Sequence, residues 1–216
     1  MKVKICGLRT LDDAEAALDL GAWALGFVFH RPSGRWIEPE AAAAIVKRLP
    51  REAITVGVFV DWPLDEVNRT VELVGLHGAQ LHGAEDAEYA RGVRASLVIK
   101  ALHVGDGFDV GRVREFQGCR ILLDTRHPAA PGGTGEVFDW SVARRAGDLA
   151  PIILAGGLRP ENVEDALREA RPDAIDVSSG VESTPGVKDP GKLRRLFEAI
   201  GRFEGARDAA NGPGEG

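Results

Sequence analysis

Residues 152–162 read IILAGGLRPEN and residues 174–182 read AIDVSSGVE. Each segment opens with a short apolar run, which is typical of a buried β-strand, and then passes into small residues. A helical pattern follows each segment. Buried strands that alternate with helices form parallel sheets joined by right-handed crossovers. The two segments therefore predict neighbouring strand–loop–helix units.

The same alternation extends over the whole chain. Strands are predicted at residues 3–6, 24–29, 54–60, 79–82, 98–103, 120–124, 152–155 and 174–178. Helices are predicted at residues 11–20, 39–48, 63–74, 86–94, 160–169 and 190–200. Eight such units in a chain of 216 residues predict a single (β/α)8 TIM barrel. An open doubly wound sheet is the alternative, but CGLR at residues 6–9 lacks the glycine fingerprint that usually follows the first strand of that fold.

The length of 216 residues and the hydrophobic fraction of 44% indicate one domain with a sizeable core. We predict that residues 1–200 form the catalytic barrel and that residues 201–216, which lose apolar periodicity, form a mobile tail. The net charge of −6 argues against nucleic acid or an anionic membrane as partner. The N-terminal residues do not resemble a signal peptide, and only two cysteines are present. We therefore expect a cytoplasmic protein, and the sequence leaves both a monomer and a homodimer open.

Two small-residue loops predict a phosphate site. In a TIM barrel the loops after strands 7 and 8 commonly bind phosphate through backbone N–H groups. Here those loops carry Gly156 and Gly157 after strand 7, and Ser179 and Gly180 after strand 8. Ordinary turns are the alternative for each glycine taken alone. Because both loops follow consecutive strands, the pattern favours phosphate binding.

Reactive side chains stand at the predicted carboxyl ends of the strands, where TIM barrels place their active sites. Cys6 ends strand 1, and Asp124 ends strand 6 after an apolar run. Cys119 begins strand 6, so we expect it at the opposite end of the barrel and not in a disulfide with Cys6. Lys4 faces the same way as Cys6, and we expect it to pair with Asp176 on the neighbouring strand 8.

Three further features complete the predicted site. Gln80 and His82 share one face of strand 4, and for His82 a buried structural role and a substrate contact remain equally open. Residues 125–136, which include PGGTG, have the length and the glycines of a loop that closes over substrate. The histidines and cysteines show no metal-ligand spacing, so we predict no metal.

Several short motifs occur in a consistent order along the chain and together resemble one enzyme family, phosphoribosylanthranilate isomerase. They are KICGL (4–8), GFVF (26–29), SGR (33–35), QLHG (80–83), LD (123–124), GGTG (132–135), FDW (138–140), LAGGL (154–158), NV (162–163), DVSSGVE (176–182), PG (185–186) and KD (188–189).

The resemblance implies a reaction and roles for individual residues. The reaction is an Amadori rearrangement of N-(5-phosphoribosyl)anthranilate, an aminoaldose, to the corresponding 1-amino-1-deoxyribulose phosphate in tryptophan biosynthesis. It implies that Cys6 is the general base, that Asp124 is the general acid and that Arg35 holds the anthranilate carboxylate. The substrate's own protonated imine would act as the electron sink, so no cofactor is expected.

Other phosphosugar barrels remain as rivals to this interpretation. A histidine-pathway isomerase is expected to use two aspartates, and indoleglycerol-phosphate synthase a lysine and a glutamate; a cysteine that ends strand 1 speaks against both. A non-catalytic binder of phosphate ligands on the same fold is a further alternative. The presence of both Cys6 and Asp124 at strand ends favours an enzyme.

Overall fold

A computed structural model describes residues 1–105, 107–124 and 140–210. Ten strands and seven α-helices lie in this part of the chain. In order they are β1 (Lys2–Cys6), α1 (Leu11–Asp19), β2 (Ala24–Val28), α2 (Pro39–Val46), β3 (Ile54–Phe59), α3 (Leu64–Val74), β4 (Gly78–Leu81), α4 (Ala87–Gly92), β5 (Leu97–His103), β6 (Arg120–Asp124), α5 (Ser141–Gly147), β7 (Ile152–Ala155), α6 (Val163–Ala170), β8 (Ala174–Val177), β9 (Glu182–Thr184), β10 (Val187–Lys188) and α7 (Pro190–Ala210).

Strands β1 to β8 form a closed parallel barrel in sequence order. The barrel closes where β1 pairs with β8, in a register that sets Lys4 opposite Asp176. The predicted TIM-barrel fold is therefore confirmed. All eight strands run the same way, so their carboxyl ends meet at one rim and bring together residues that are distant in sequence.

Side chains alternate between two apolar layers. On β6, Leu122 packs inside the barrel with Ile99 and Ile153, whereas Ile121 and Leu123 pack outward against the helices. This alternation follows from the two-residue period of a β-strand. Because both faces of each strand are buried, the strand sequences are almost continuously apolar.

The strands after β8 were not predicted from sequence. A short 3-10 turn (Ser179–Val181) leads into the antiparallel pair β9 and β10, which is followed directly by α7. A second 3-10 turn (Val110–Glu115) connects β5 to β6. Strands of two or three residues are too short to produce a recognisable hydrophobic period.

Two predicted helix boundaries differ from the structure by three residues or more. Helix α6 begins at Val163 and not at residue 160, because the side chain of Asn162 stabilises a turn over the preceding residues. Its Oδ1 accepts a hydrogen bond from the backbone N–H of Arg159, and its Nδ2 donates to the carbonyl oxygen of Gly157. Helix α7 continues to Ala210, ten residues beyond the predicted end, so residues 201–210 of the predicted tail are helical. Residues 211–216 lie outside the described residues, and mobility of the tail stays a prediction.

Within the described residues, no helix combines the length and apolar character needed to cross a membrane. The predicted lid at residues 125–136 and the motif residues 138–139 lie outside the described part of the chain.

Candidate active site

A cavity opens at the carboxyl ends of the strands. It is lined by eight of the nine residues predicted from sequence to form the site: Cys6, Arg35, Gln80, His82, Asp124, Gly156, Gly157 and Ser179. The ninth, Gly180, is not part of the lining. The remaining lining residues come from the same rim and include Asp176 and Ser178.

Cys6 is a free thiol on the cavity wall, and only 7% of the residue is exposed. It packs with Val28 and Val58. Burial raises the pKa of the Cys6 thiol above its ordinary value, and the nearby charge of Asp176 adds to this effect. The positive charges of Lys4 and Lys188 oppose it. In the free protein the thiol form of Cys6 is therefore favoured, although the ammonium groups of Lys4 and Lys188 lie close enough to stabilise a thiolate.

Lys4 and Asp176 form the predicted ion pair. The Lys4 ammonium is fully buried and donates to Asp176 Oδ1 at 2.9 Å. Burial alone would lower the pKa of Lys4, but the carboxylate of Asp176 and the neighbouring Cys6 outweigh that effect and raise it. Lys4 is therefore charged, and it holds a fixed positive charge beneath the thiol of Cys6.

On the opposite side of the rim, Asp124 contacts a histidine that is itself held by an amide. His82 Nε2 lies 3.2 Å from Asp124 Oδ2, and His82 Nδ1 lies 2.9 Å from Gln80 Nε2. Gln80 is buried, whereas His82 and Asp124 are partly exposed to the cavity. The face shared by Gln80 and His82, predicted from alternation on β4, is therefore directed towards Asp124.

Arg35 is engaged by a carboxylate that the sequence analysis did not single out. Its Nε and Nη2 donate to both carboxylate oxygens of Glu182, at 2.8 and 2.6 Å for the closest contacts. Lys188 donates to the same carboxylate at 2.9 Å and to the carbonyl oxygen of Cys6 at 2.6 Å. Burial alone would raise the pKa of Glu182, but the hydrogen bonds from Arg35 and Lys188 hold it below its ordinary value.

Glu182 and Lys188 were missed because their partners are distant in sequence. Both residues occur in the quoted motifs, DVSSGVE and KD, but nothing in their spacing shows that β9 and β10 fold back beneath Arg35. Their burial in the structure, 6% exposure for Glu182 and 3% for Lys188, is what marks them, since Glu and Lys are rarely fully buried unless they are paired.

The two glycine loops approach each other closely. Gly156 and Gly157 have left-handed backbone conformations, with φ values of 94° and 64°. A Cβ on Gly180 would lie 1.9 Å from the carbonyl oxygen of Leu158, so only glycine allows the loop after β8 to pack against the loop after β7. Gly180 thus shapes this corner of the site from behind the cavity wall.

Among the described residues, one group offers three metal-binding atoms close together. It comprises His82, His103 and Asp124, at the ends of β4, β5 and β6.

Comparisons with known proteins point to one family. A protein-family model described as N-(5'-phosphoribosyl)anthranilate (PRA) isomerase matches residues 3–199. The N-(5'-phosphoribosyl)anthranilate isomerase of Citrifermentans bemidjiense is 50% identical over 196 residues, which cover 91% of this chain and 95% of that protein.

Solved structures agree with the sequence comparison. The crystal structure of phosphoribosyl anthranilate isomerase from Thermotoga maritima is similar with a TM-score of 0.87 and 42% identity, covering 93% of this chain and 99% of that chain. A crystal structure of phosphoribosyl anthranilate isomerase in complex with reduced 1-(o-carboxyphenylamino)-1-deoxyribulose 5-phosphate is similar with a TM-score of 0.83 and 40% identity, covering the same shares.

Proposed function

Since this chain belongs to the N-(5'-phosphoribosyl)anthranilate isomerase family, we propose a mechanism in which its cavity carries out that isomerisation with Cys6 as base and Asp124 as acid. The chain is a phosphoribosylanthranilate isomerase of tryptophan biosynthesis. The observation that carries the mechanism is that a thiol on β1 and a carboxyl group on β6 line the same cavity.

The first chemical step opens the sugar ring. Asp124, as a carboxylic acid, donates its proton to the furanose ring oxygen while the bond from C1′ to that oxygen breaks. The bonding electron pair stays on the oxygen, and the lone pair of the anthranilate nitrogen forms a C1′=N double bond. A positioned acid of this kind contributes roughly 10²–10⁴-fold to the rate.

The second step moves a proton from carbon. The thiolate of Cys6 takes the C2′ proton, the C–H electron pair forms a C1′=C2′ double bond, and the C=N pair returns to nitrogen. The resulting enol becomes the ketone when its hydroxyl proton passes to the Asp124 carboxylate and the Cys6 thiol gives its proton to C1′, which restores both residues to their starting forms. Substrate and product have the same composition, so the step needs no oxidant, reductant or cofactor.

Lys4 and Lys188 support the base in this mechanism. The free protein favours the thiol, so the thiolate has to be stabilised when it forms. The buried ammonium of Lys4, fixed by Asp176, and the ammonium of Lys188 supply positive charge next to Cys6. Because the cavity wall has a lower dielectric constant than water, such charges act more strongly there than at the surface.

Arg35 is our candidate for the anthranilate carboxylate. Glu182 occupies its Nε and Nη2 edge, so the substrate would bind through Nη1 and the second hydrogen of Nη2. Glu182 and Lys188 then act as positioning residues, since they fix the guanidinium plane before substrate arrives. Such fixation lowers the entropy lost on binding.

The phosphate group is proposed to bind at Gly156, Gly157, Ser179 and Gly180. Support comes from the positions of the first three on the cavity wall, where glycine and serine allow a ligand to approach the backbone closely. Phosphate sites after β7 and β8 are also common to this fold. We propose that the small phosphosugar is the binding partner, and that neither nucleic acid nor a membrane is bound. We further propose that the protein is cytoplasmic and is a monomer or a homodimer.

The reaction itself is tested with chelator-treated protein and freshly made phosphoribosylanthranilate, followed by the loss of substrate fluorescence. We expect turnover without added metal or nucleotide, at a rate in the usual enzymatic range of about 1–10³ per second. Folded protein that does not exceed the uncatalysed rate would overturn the proposed function.

A further inference from the structure

Three side chains that could bind a metal ion converge at the rim although they are distant in sequence. His82 Nε2 lies 3.2 Å from Asp124 Oδ2, and His103 Nδ1 lies 3.8 Å from the same oxygen. All three donor atoms lie within 4.8 Å of one another. Each side chain comes from a different strand end, so the barrel itself fixes their separation.

The two separations from Asp124 Oδ2 are close to the ligand spacing around zinc. Zn²⁺ binds histidine nitrogens and carboxylate oxygens at about 2.0–2.2 Å in tetrahedral sites, which places neighbouring ligand atoms about 3.4 Å apart. The distances from Asp124 Oδ2 lie on either side of that value. Catalytic zinc sites, unlike structural ones, have three protein ligands and leave the fourth position for water or substrate. The three side chains here would give the same arrangement.

A buried amide provides the outer support that such a site requires. A histidine that binds metal through Nε2 carries its proton on Nδ1 and donates it to an acceptor. Next to His82 Nδ1 stands Gln80, whose Oε1 is buried and has no hydrogen-bond partner among the described residues. Rotation of the Gln80 amide by 180° would place Oε1 where Nε2 now lies. Oε1 would then accept a hydrogen bond from the protonated Nδ1 of His82.

From this geometry we propose that His82, His103 and Asp124 form a zinc-binding site, and that zinc bound there inhibits the isomerase. Two imidazole ligands favour Zn²⁺ and similar transition metals over Mg²⁺, which prefers oxygen ligands. The side chain of His103 is 60% exposed, so the ion can enter from solvent. Inhibition follows because a metal-bound carboxylate cannot donate the proton that opens the sugar ring.

The inhibitory effect rests on the proposed role of Asp124, whereas metal binding does not. The two parts are therefore measured separately. His103 is the most informative position, because it is a proposed ligand that lies outside the cavity lining and has no role in the proposed reaction. Cys6 is the matched control, since a thiol is the other strong zinc ligand at the rim.

Binding is measured by equilibrium dialysis of chelator-treated protein against Zn²⁺, with the bound metal counted directly. We expect one ion per wild-type chain, affinity reduced by about tenfold or more in His103→Gln, and unchanged affinity in Cys6→Ala; loss of an outer-shell partner alone commonly costs 10–100-fold. Mg²⁺ should not compete. Absence of binding, or binding that depends on Cys6 and not on His103, would overturn the zinc site.

Inhibition is then measured in the isomerase assay. His103→Gln should keep the metal-free rate within about threefold of wild type, as expected for a residue outside the acid–base pair. Zn²⁺ should inhibit wild type over the concentration range in which it binds, and His103→Gln should need about tenfold more. If zinc binds through His103 but leaves the rate unchanged, the metal site stands and the role of Asp124 as the acid is contradicted.

Discussion

At the scale of single residues, the two cysteines show how position decides chemistry. Cys6 was predicted at the active rim because it ends β1, and it does line the cavity. Cys119, at the start of β6, is not part of that lining. The elevated pKa of Cys6 could not be predicted from sequence, because it depends on burial and on charges from Lys4, Asp176 and Lys188, which reach it from three separate segments.

The elevated pKa gives a testable pH dependence. In a Cys119→Ser background, alkylation of Cys6 by iodoacetamide should accelerate about tenfold per pH unit between about pH 7 and 9, because only the thiolate reacts and its fraction rises tenfold per unit below the pKa. Mass spectrometry of the labelled peptide measures the rate. A rate that is already level near neutral pH would mean that the lysines lower the pKa more than burial raises it.

At the scale of secondary-structure elements, the eight barrel strands were predicted with no end in error by more than one residue, whereas the β9–β10 pair was missed. Long apolar runs carry a clear signal in the sequence, but β9 and β10 are recognisable only by what they contact. That small element carries Glu182 and Lys188, which connect Arg35 to the backbone of Cys6. The proposed anchor for the substrate, Arg35, therefore depends on an element that no periodicity indicated.

Arg35 and Glu182 should affect substrate binding more than the chemical step. Arg35→Ala is expected to raise KM more than it lowers kcat. Arg35→Lys should also raise KM, because it retains the charge beside Glu182 but loses the planar two-pronged contact. Glu182→Gln should raise KM in the same direction and also lower the melting temperature, since breaking a buried ion pair costs about 3–5 kcal/mol.

Arg31 provides the control, since it lies in the same loop with its side chain 75% exposed. Steady-state kinetics of Arg31→Ala should match wild type. If KM is unchanged in both Arg35 variants, Arg35 is a structural partner of Glu182 and another group binds the carboxylate.

At the scale of the whole molecule, strict alternation of strands and helices was enough to predict the barrel, and the barrel then predicts which residues meet. Cys6, Gln80, Asp124 and Gly156 come from four strands and line one cavity, because parallel strands have their carboxyl ends in common. The cluster of His82, His103 and Asp124 was not predicted, because the barrel brings these residues together although they are distant in sequence. Metal-binding motifs are recognised in sequence by short spacings, and these ligands lie on three separate strands.

The proposed roles of Cys6 and Asp124 as base and acid in one cavity are tested most directly by measuring kcat for three single variants. Cys6→Ser and Asp124→Asn should each lose at least about 10²-fold, the lower range for removal of a positioned acid or base. Cys119→Ser should stay within a few-fold of wild type, and circular dichroism should show that all three are folded. Near wild-type turnover by folded Cys6→Ser or Asp124→Asn would contradict the assignment.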